Sequence, residues 1–269
     1  MVTLTDGNDT FNGTPGEDVV QALGGDDLLY GGFSADSIET GAGNDIAFGE
    51  NGADTLFGGT LFNFFDSGDD VLDGGPDDDI MFGGDGSDQL NGDDGDDQIN
   101  GNTGEDVVIG GEGRDFARGG QGNDLVFGNE GDDWHVNGNI GDDDVYGGEG
   151  RDNVFGGQGN DTLHGDEGND EIQGDLGNDE LSGGDGSDRF HFGDGSGIDV
   201  IEDFSQEQDD RVLIRARING SSILTPQDVL ANATDDESFN AVINLGGGNT
   251  VTIRGYAKAD LDVGDFIVL

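Results

Sequence analysis

A large apolar side chain recurs at every ninth position along most of the chain. It is Phe, Val, Leu, Ile or Met in seventeen of twenty copies, and Ala47, Ala117 and His135 are the exceptions. Successive side chains of a strand point to opposite faces, so three residues centred on this position predict a short strand with one inward side chain. A period this strict indicates one small structural unit stacked many times.

The other half of each unit is rich in glycine. The full pattern is Gly-Gly-x-Gly-x-Asp-x-U-x, where U is the large apolar residue, and residues 83–91 are a clean copy. Glycine accepts the positive φ angles of tight turns, so this half predicts a turn. Two turns and two strands then form one coil of eighteen residues, and successive coils stack about 4.8 Å apart in two parallel sheets. Ten coils would give an all-β rod of roughly 48 Å.

An aspartate ends the turn in every copy. Stacking would bring these carboxylates close together, and close carboxylates repel each other unless a cation lies between them. The repeat aspartates are therefore candidate metal ligands. They are Asp9, Asp18, Asp27, Asp36, Asp45, Asp54, Asp70, Asp79, Asp88, Asp97, Asp106, Asp115, Asp124, Asp133, Asp143, Asp152, Asp161, Asp170, Asp179 and Asp188.

The repeat resembles the RTX (repeats-in-toxin) calcium-binding nonapeptide, over about three quarters of the chain. This resemblance implies a right-handed parallel β-roll in which each Ca²⁺ ion lies between two turns on the same edge. One such site would use the Gly84 and Gly86 carbonyls and Asp88 from the earlier turn. The later turn would supply the Gly101 and Thr103 carbonyls and Asp106. Six hard oxygen ligands suit Ca²⁺ better than Mg²⁺ or Zn²⁺.

Charge supports the same interpretation. Nine basic residues against 61 acidic ones leave a formal charge of −52 on 269 residues, which a compact domain does not carry easily. Ten turns on each edge leave nine gaps, so at most about eighteen ions would bind and reduce the charge to about −16. We therefore expect ion binding and folding to be coupled, with disorder in calcium-free buffer. Such acidity argues against nucleic-acid binding, because phosphates would be repelled.

Export is the next expectation. The chain has no Cys, no transmembrane run and no N-terminal secretory signal. Weak multi-carboxylate sites need about 10⁻⁴ to 10⁻³ M calcium, which extracellular modules meet. The resemblance implies one-step export by the type I ABC-transporter machinery of Gram-negative bacteria, and hence an extracellular or cell-surface location. The ending Asp265-Phe266-Ile267-Val268-Leu269 resembles a type I secretion signal, although a final strand would explain it equally.

The repeat becomes irregular after Asp188. We place a calcium β-roll at residues 1–203 and a capping segment with the expected type I secretion signal at 204–269. Asp199 and Asp203 are candidate last ligands, with simple solvation as the alternative. In the capping segment the sequence predicts a strand at 212–214, a helix from Pro226 after a capping box, and a hairpin formed by 241–245 and 250–254.

Three departures interrupt the repeats. An insert at 60–66 carries three Phe and one Leu, which either fold over a sheet face or anchor a partner. His135 falls in the inward column and Asn137 looks like a bulge, which indicates a change of register. Ser34 and Asp77 replace the turn glycine, so we expect weakened calcium sites beside them.

The sequence does not predict an enzyme. It lacks His-Glu-x-x-His, Gly-x-Ser-x-Gly, a P-loop and any Cys nucleophile, and carboxylates that hold Ca²⁺ are poorly placed for acid–base catalysis. We expect a secreted calcium-binding β-roll with a structural or interaction role. The alternative is a surface-binding or adhesin module whose roll face recognises a polysaccharide, a protein or ice. The outward aromatic residues favour a sugar or a protein as the ligand. Ice binding would need a regular array of Thr residues, and those of this chain are scattered.

Overall fold

A computed structural model describes residues 1–59 and 68–269, so the insert expected at 60–66 lies outside the described residues. The described chain forms a parallel β-solenoid of two sheets with one short helix, which confirms the predicted β-roll. In chain order the strands are β1 (Val2–Thr3), β2 (Thr10–Asn12), β3 (Val19–Gln21), β4 (Leu28–Phe33), β5 (Ser37–Glu39), β6 (Ile46–Asn51), β7 (Thr55–Phe57), β8 (Val71–Pro76), β9 (Ile80–Asp85), β10 (Gln89–Asp94), β11 (Gln98–Thr103), β12 (Val107–Glu112), β13 (Phe116–Gln121), β14 (Leu125–Glu130), β15 (His135–Ile140), β16 (Asp144–Gly150), β17 (Asn153–Gln158), β18 (Thr162–Gly168), β19 (Glu171–Leu176), β20 (Glu180–Ser182), β21 (Asp185–Gly186), β22 (Arg189–Phe192), β23 (Ile198–Ile201), β24 (Arg211–Ile214), β25 (Ala233–Asp235), β26 (Ala241–Gly246), β27 (Asn249–Ile253) and β28 (Phe266–Val268).

The chain alternates between the two sheets at every half-coil. Sheet A has the strand order β1-β3-β5-β7-β9-β11-β13-β15-β17-β19-β22-β24-β28. Sheet B has the order β2-β4-β6-β8-β10-β12-β14-β16-β18-β20-β23-β27-β26-β25, with β21 paired to β18. Neighbouring strands in the roll are parallel and mostly eighteen residues apart, as in Leu90↔Val108, so equivalent side chains form columns along the axis. The spacing is 25 residues across the insert, as in Ile46↔Val71, and 19 around the added residue, as in Phe116↔His135.

The core is a thin layer between the sheets. Each strand from β3 to β20 contributes a fully buried apolar side chain, such as Leu72, Met81 and Leu90, whereas Phe11 of β2 is only partly buried. Ala47 and Ala117 are fully buried too, so they keep the inward position although they are small. The same core continues through Phe190 and Ile201 into the C-terminal segment.

One local prediction was wrong. Val136, not His135, is fully buried in the inward column, and it pairs with Ala117 and Val154. His135 lies outward beside Phe116. The extra residue is therefore accommodated before the strand, where Trp134 is 52% exposed, rather than as a bulge at Asn137. Burying an aliphatic side chain costs less than burying an imidazole without a partner, which explains the choice of register.

The C-terminal segment follows its predicted elements. The strand at 211–214 is present, α1 spans Pro226–Asn232 with a capping box between Thr225 and Asp228, and β26 and β27 form the antiparallel hairpin. Strand β27 continues sheet B beside β23, and β28 continues sheet A beside β24. Both sheets therefore extend beyond residue 203.

The two turns without their usual glycine keep the turn conformation. Ser34 has a φ of 75° and Asp77 a φ of 93°, in the left-handed region that the glycines of equivalent turns occupy. A non-glycine residue in this region costs roughly 1–2 kcal/mol. Ser34 and Asp77 therefore lower the stability of the fold without changing the path of the chain.

Candidate calcium sites

The repeat aspartates form one ladder along each edge of the roll. The main-chain N–H of each aspartate donates to Oδ1 of the aspartate one coil later, in twenty hydrogen bonds of 2.6–3.2 Å. One ladder contains Asp9, Asp27, Asp45, Asp70, Asp88, Asp106, Asp124, Asp143, Asp161, Asp179 and Asp199. The other contains Asp18, Asp36, Asp54, Asp79, Asp97, Asp115, Asp133, Asp152, Asp170, Asp188 and Asp210.

The second oxygen of these carboxylates has no comparable partner. Eighteen of the ladder aspartates, from Asp27 to Asp199, have a buried Oδ2 atom without a hydrogen bond to any described residue. Most buried polar atoms in proteins are hydrogen-bonded, and an unpaired buried carboxylate is especially costly. An unpaired carboxylate oxygen that recurs at the same position of successive coils indicates that a positively charged group belongs beside it.

Main-chain carbonyls lie close to these oxygens. An ideal Cβ placed on Gly83 would lie 2.3 Å from Asp88 Oδ2 and 2.6 Å from the Gly101 carbonyl oxygen. Strands β9 and β11 pair on both sides of this point but not at Gly83 and Gly101. The Gly101 carbonyl oxygen therefore faces a small space beside Asp88 Oδ2, here called the cradle. Only glycine at position 83 leaves this space open, because a side chain there would fill it.

The structure thus brings together most of the residues of the predicted site. An ideal Cβ on Gly104 would lie 1.5 Å from the Gly86 carbonyl oxygen and 3.2 Å from Asp106 Oδ1. The Thr103 carbonyl lies in the same gap, where it accepts the Gly86 N–H at 2.9 Å. Gly84 pairs with Asn102 in the sheet.

The cradle makes a glycine substitution a sharp test. In Gly101→Ala the new methyl group would lie 2.3 Å from Asp106 Oδ2 and 2.6 Å from the Gly119 carbonyl oxygen. We expect a loss of about 2 kcal/mol in the free energy of unfolding with calcium present, measured by urea denaturation. Gly16→Ala is the matched control, because nothing lies within 4 Å of its ideal Cβ. Equal stability of the two variants would show that the cradle has no role.

Burial raises the pKa of the ladder carboxyls from Asp27 onward, and the charges of neighbouring aspartates add to the shift. The pKa rises from 3.8 to about 8 for Asp70, Asp106 and Asp152, and to about 7 for Asp88. The folded roll alone would therefore bind more protons than the unfolded chain. Its stability without cations is therefore greatest below about pH 4 and falls as the pH rises from there to about 8, and it returns as the pH falls. A cation in the gap would neutralise the carboxylates when these protons are lost.

The donors suit calcium. No three His, Cys, Asp or Glu side chains form a metal cluster among the described residues. The gap instead combines two carboxylates with main-chain oxygens, and hard oxygens at flexible geometry are the usual environment of Ca²⁺. Asp88, Asp106 and the carbonyls of Gly86, Gly101 and Thr103 would hold the ion. A bound ion supplies charge neutralisation and a cross-link between coils.

The ends of the ladders differ from the sequence predictions. Asp203 lies outside both ladders, because its carboxylate accepts the N–H groups of Gly183 and Gly184, each at 2.9 Å. Asp210 takes the ladder position after Asp188 and was missed. The triplet Asp210-Arg211-Val212 carries the Asp-x-U signal, but it follows Asp188 by 22 residues instead of eighteen. Asp199 lies in its ladder with an unpaired Oδ2, so each ladder contains eleven aspartates, one more than the repeats alone give, in agreement with a roll of about ten coils.

Comparison with known proteins agrees with this geometry. The family model described as RTX calcium-binding nonapeptide repeat (4 copies) matches residues 4–38, 30–63, 66–99, 100–134, 137–172 and 164–199. No curated protein matches the chain significantly.

Two solved structures are similar to parts of the chain. One is the AlgE6R3 subunit of the Azotobacter vinelandii mannuronan C5-epimerase, with 27% identity and a TM-score of 0.38 over 51% of this chain and 80% of that one. The other is the extracellular lipase LipA of Serratia marcescens, with 16% identity and a TM-score of 0.33 over 97% of this chain. The present chain covers 40% of the lipase chain.

Proposed function

Because the chain belongs to the RTX calcium-binding nonapeptide repeat family, we propose that it is a secreted β-roll that folds when calcium binds outside the cell. The observation that carries this proposal is the set of eighteen buried, unpaired Oδ2 atoms along the two ladders. A cation in each gap would neutralise the carboxylates on both sides of it and stabilise the arrangement at neutral pH and above. The ladders have twenty gaps, so we propose up to twenty ions, slightly more than the number expected from the repeats.

The proposed role is structural or interactive rather than catalytic. The carboxylates that lie close together in the roll are those we assign to calcium, and ligation leaves them little capacity for proton transfer. The family is named for its calcium-binding repeat, which fits a folding and scaffolding role.

Calcium-dependent folding also supports export. A chain that is unfolded at cytosolic calcium and folded at about 10⁻⁴ to 10⁻³ M can pass through a narrow exporter and become compact outside. We propose type I secretion with a signal at the C-terminus, where β28 pairs only with β24. Among the described residues, no helix is long and apolar enough to span a membrane.

The second candidate function is recognition of a surface through a sheet face. A specific observation favours it, because a groove of about 740 Å³ crosses the outer side of sheet A beside an aromatic cluster. Surface binding in this groove would be a second function of the roll, and it would require the calcium-dependent folding that forms the groove.

Export is tested by deleting residues 265–269 in a Gram-negative host with a type I exporter. We expect the full chain in the medium and the truncated chain in the cells, a loss of export of about tenfold or more. Circular dichroism of both purified chains in calcium serves as the control, because β28 is an edge strand. Equal export of two equally folded chains would contradict the secretion proposal.

A further inference from the structure

The outer faces of the two sheets carry grooves of opposite character. The groove on sheet B has a volume of about 960 Å³ and is lined by a column of carboxylates: Asp94, Glu112, Glu130, Glu149, Glu167 and Asp185. The equivalent column in the groove on sheet A reads Asp85, Thr103, Gln121, Ile140, Gln158 and Leu176. The groove on sheet B is strongly acidic, whereas the groove on sheet A is lined by two carboxylates, Asp85 and Asp175, and one arginine, although both are built by the same positions of the repeat.

The groove on sheet A contains an arginine that pairs with no carboxylate of the part of the chain that the structure describes. Arg118 lines this groove and lies over the ring of Phe116, with 4.1 Å from Cζ to the ring centroid. Its Nε atom is buried and has no hydrogen-bond partner among the described residues. In a chain with 61 acidic residues, a guanidinium that pairs with none of the described carboxylates indicates a ligand that accepts hydrogen bonds from its outer N–H groups.

Amide side chains are held in place on both sides of Arg118. Asn100 and Asn137 are its neighbours in the adjacent strands. Their Oδ1 atoms accept the main-chain N–H of the residue two places later, at 3.1 Å and 2.8 Å. Around Arg118 the groove thus presents amide side chains in fixed orientations, while its two carboxylates, Asp85 and Asp175, belong to the outermost strands β9 and β19.

Most outward aromatic rings cannot stack on a ligand, because they already stack on each other. In sheet B, Tyr146 stacks with Phe127 and His164 at 5.0 Å and 4.7 Å. Trp134 is different, because the extra residue of this repeat places it just before the first residue of β15, outside the paired strand. Its ring is tilted by 51° to Phe116 at 4.8 Å, and the residue is 52% exposed.

We propose that this groove on sheet A binds a neutral, extended oligosaccharide, a proposal that rests on the calcium-folded roll described above. Trp134 does not line the groove but packs on Phe116, over which Arg118 lies, so it would stack on a sugar ring at the edge of the groove. Arg118 and the amides would bond hydroxyl groups of the sugars inside the groove. The groove crosses six strands, and one hexose of an extended chain advances by roughly one strand spacing of about 4.8 Å. The high negative charge of the chain disfavours polyanions, which selects an uncharged glycan.

Trp134 is the single tryptophan of the chain, so its fluorescence reports binding directly. The probes are hexasaccharides of β-1,4-glucose, β-1,3-glucose, α-1,4-glucose and β-1,4-mannose, with hexagalacturonate as the anionic arm, each up to about 5 mM in millimolar calcium. We expect a saturable change of emission with at least one neutral hexasaccharide. Calorimetry should show about tenfold weaker binding for Arg118→Ala and for Gln121→Ala.

Ile109→Ala is the matched control, because Ile109 holds the Arg118 position of the preceding repeat and lines the acidic groove on sheet B. It should leave sugar binding unchanged, and circular dichroism should show all variants folded in calcium. The proposal is overturned if a folded roll binds none of the four neutral probes, if it prefers hexagalacturonate, or if Arg118→Ala and Ile109→Ala bind alike. A chain that stays unfolded in calcium would instead refute the proposed function.

Discussion

In excess chelator at pH 8, the roll is expected to lose its β structure and become a largely disordered chain. Without cations, 22 ladder carboxylates stand at neighbouring turns, and most are buried. Burial raises the pKa of Asp106 and Asp152 to about 8, so at this pH a large part of the ladder would be ionised without compensation. A thin core of one apolar side chain per strand cannot offset that cost.

Circular dichroism during a calcium titration measures this effect. We expect a cooperative transition from coil to β structure between about 10⁻⁴ and 10⁻³ M calcium, and little change with magnesium at the same concentrations. A second arm keeps the chelator and lowers the pH from 8 to 5. The raised pKa values predict a partial return of β structure there, because protons then neutralise the ladder. A fully folded chain in chelator at pH 8 would refute coupled folding.

Asp106→Asn is expected to cause the largest loss from a single substitution. Asp106 belongs to two gaps, since its Oδ1 accepts the Asp88 N–H and its own N–H donates to Asp124 Oδ1, both at 2.9 Å. The amide keeps the size of the side chain but removes the charge from both sites. With calcium present, we expect a loss of about 3 kcal/mol in the free energy of unfolding, measured by urea denaturation.

Calcium dependence separates ligand loss from ordinary packing damage. Glu105→Gln is the matched control, because Glu105 precedes Asp106 and is exposed. It should change stability by less than about 0.5 kcal/mol. At pH 5 in chelator, Asp106→Asn should cost little, because the native carboxyl is then largely protonated. An equal loss with and without calcium would mean that Asp106 acts only through its hydrogen bonds.

The regular part of this molecule was predictable because one rule repeats. Inward residues such as Leu90 and Val108, and the adjacency of Asp88 and Asp106, follow directly from the period. The direction of the ladder bonds was not predictable, because it depends on how each carboxylate rotates relative to the next main-chain N–H. For the same reason, the sequence did not reveal that one oxygen of each carboxylate would be left unpaired.

Predictions failed where the spacing changes. An added residue between Asp133 and Val136 can be placed on either side of the inward position, and only packing against Ala117 and Val154 decides it. Asp210 was missed because irregular turns separate it from Asp188. Asp203 lies near the same turn but bonds the N–H groups of Gly183 and Gly184, which a count of residues cannot show.

The outer faces were only partly predictable as well. The columns of outward residues follow from the period, but the mutual stacking of rings such as Phe127 and Tyr146 does not. That stacking removes ring faces from contact with a ligand. It changes the interpretation of the aromatic surface and leaves Trp134 as the exposed ring beside the groove on sheet A.

The central claim is that calcium ions bridge the aspartates of successive coils, and an anomalous difference map of crystals grown in millimolar calcium tests it most directly. We predict a row of peaks along each edge, with one peak between successive ladder aspartates such as Asp88 and Asp106 and with Oδ2 atoms at about 2.3–2.6 Å. An intact roll with only water in those gaps would contradict the account.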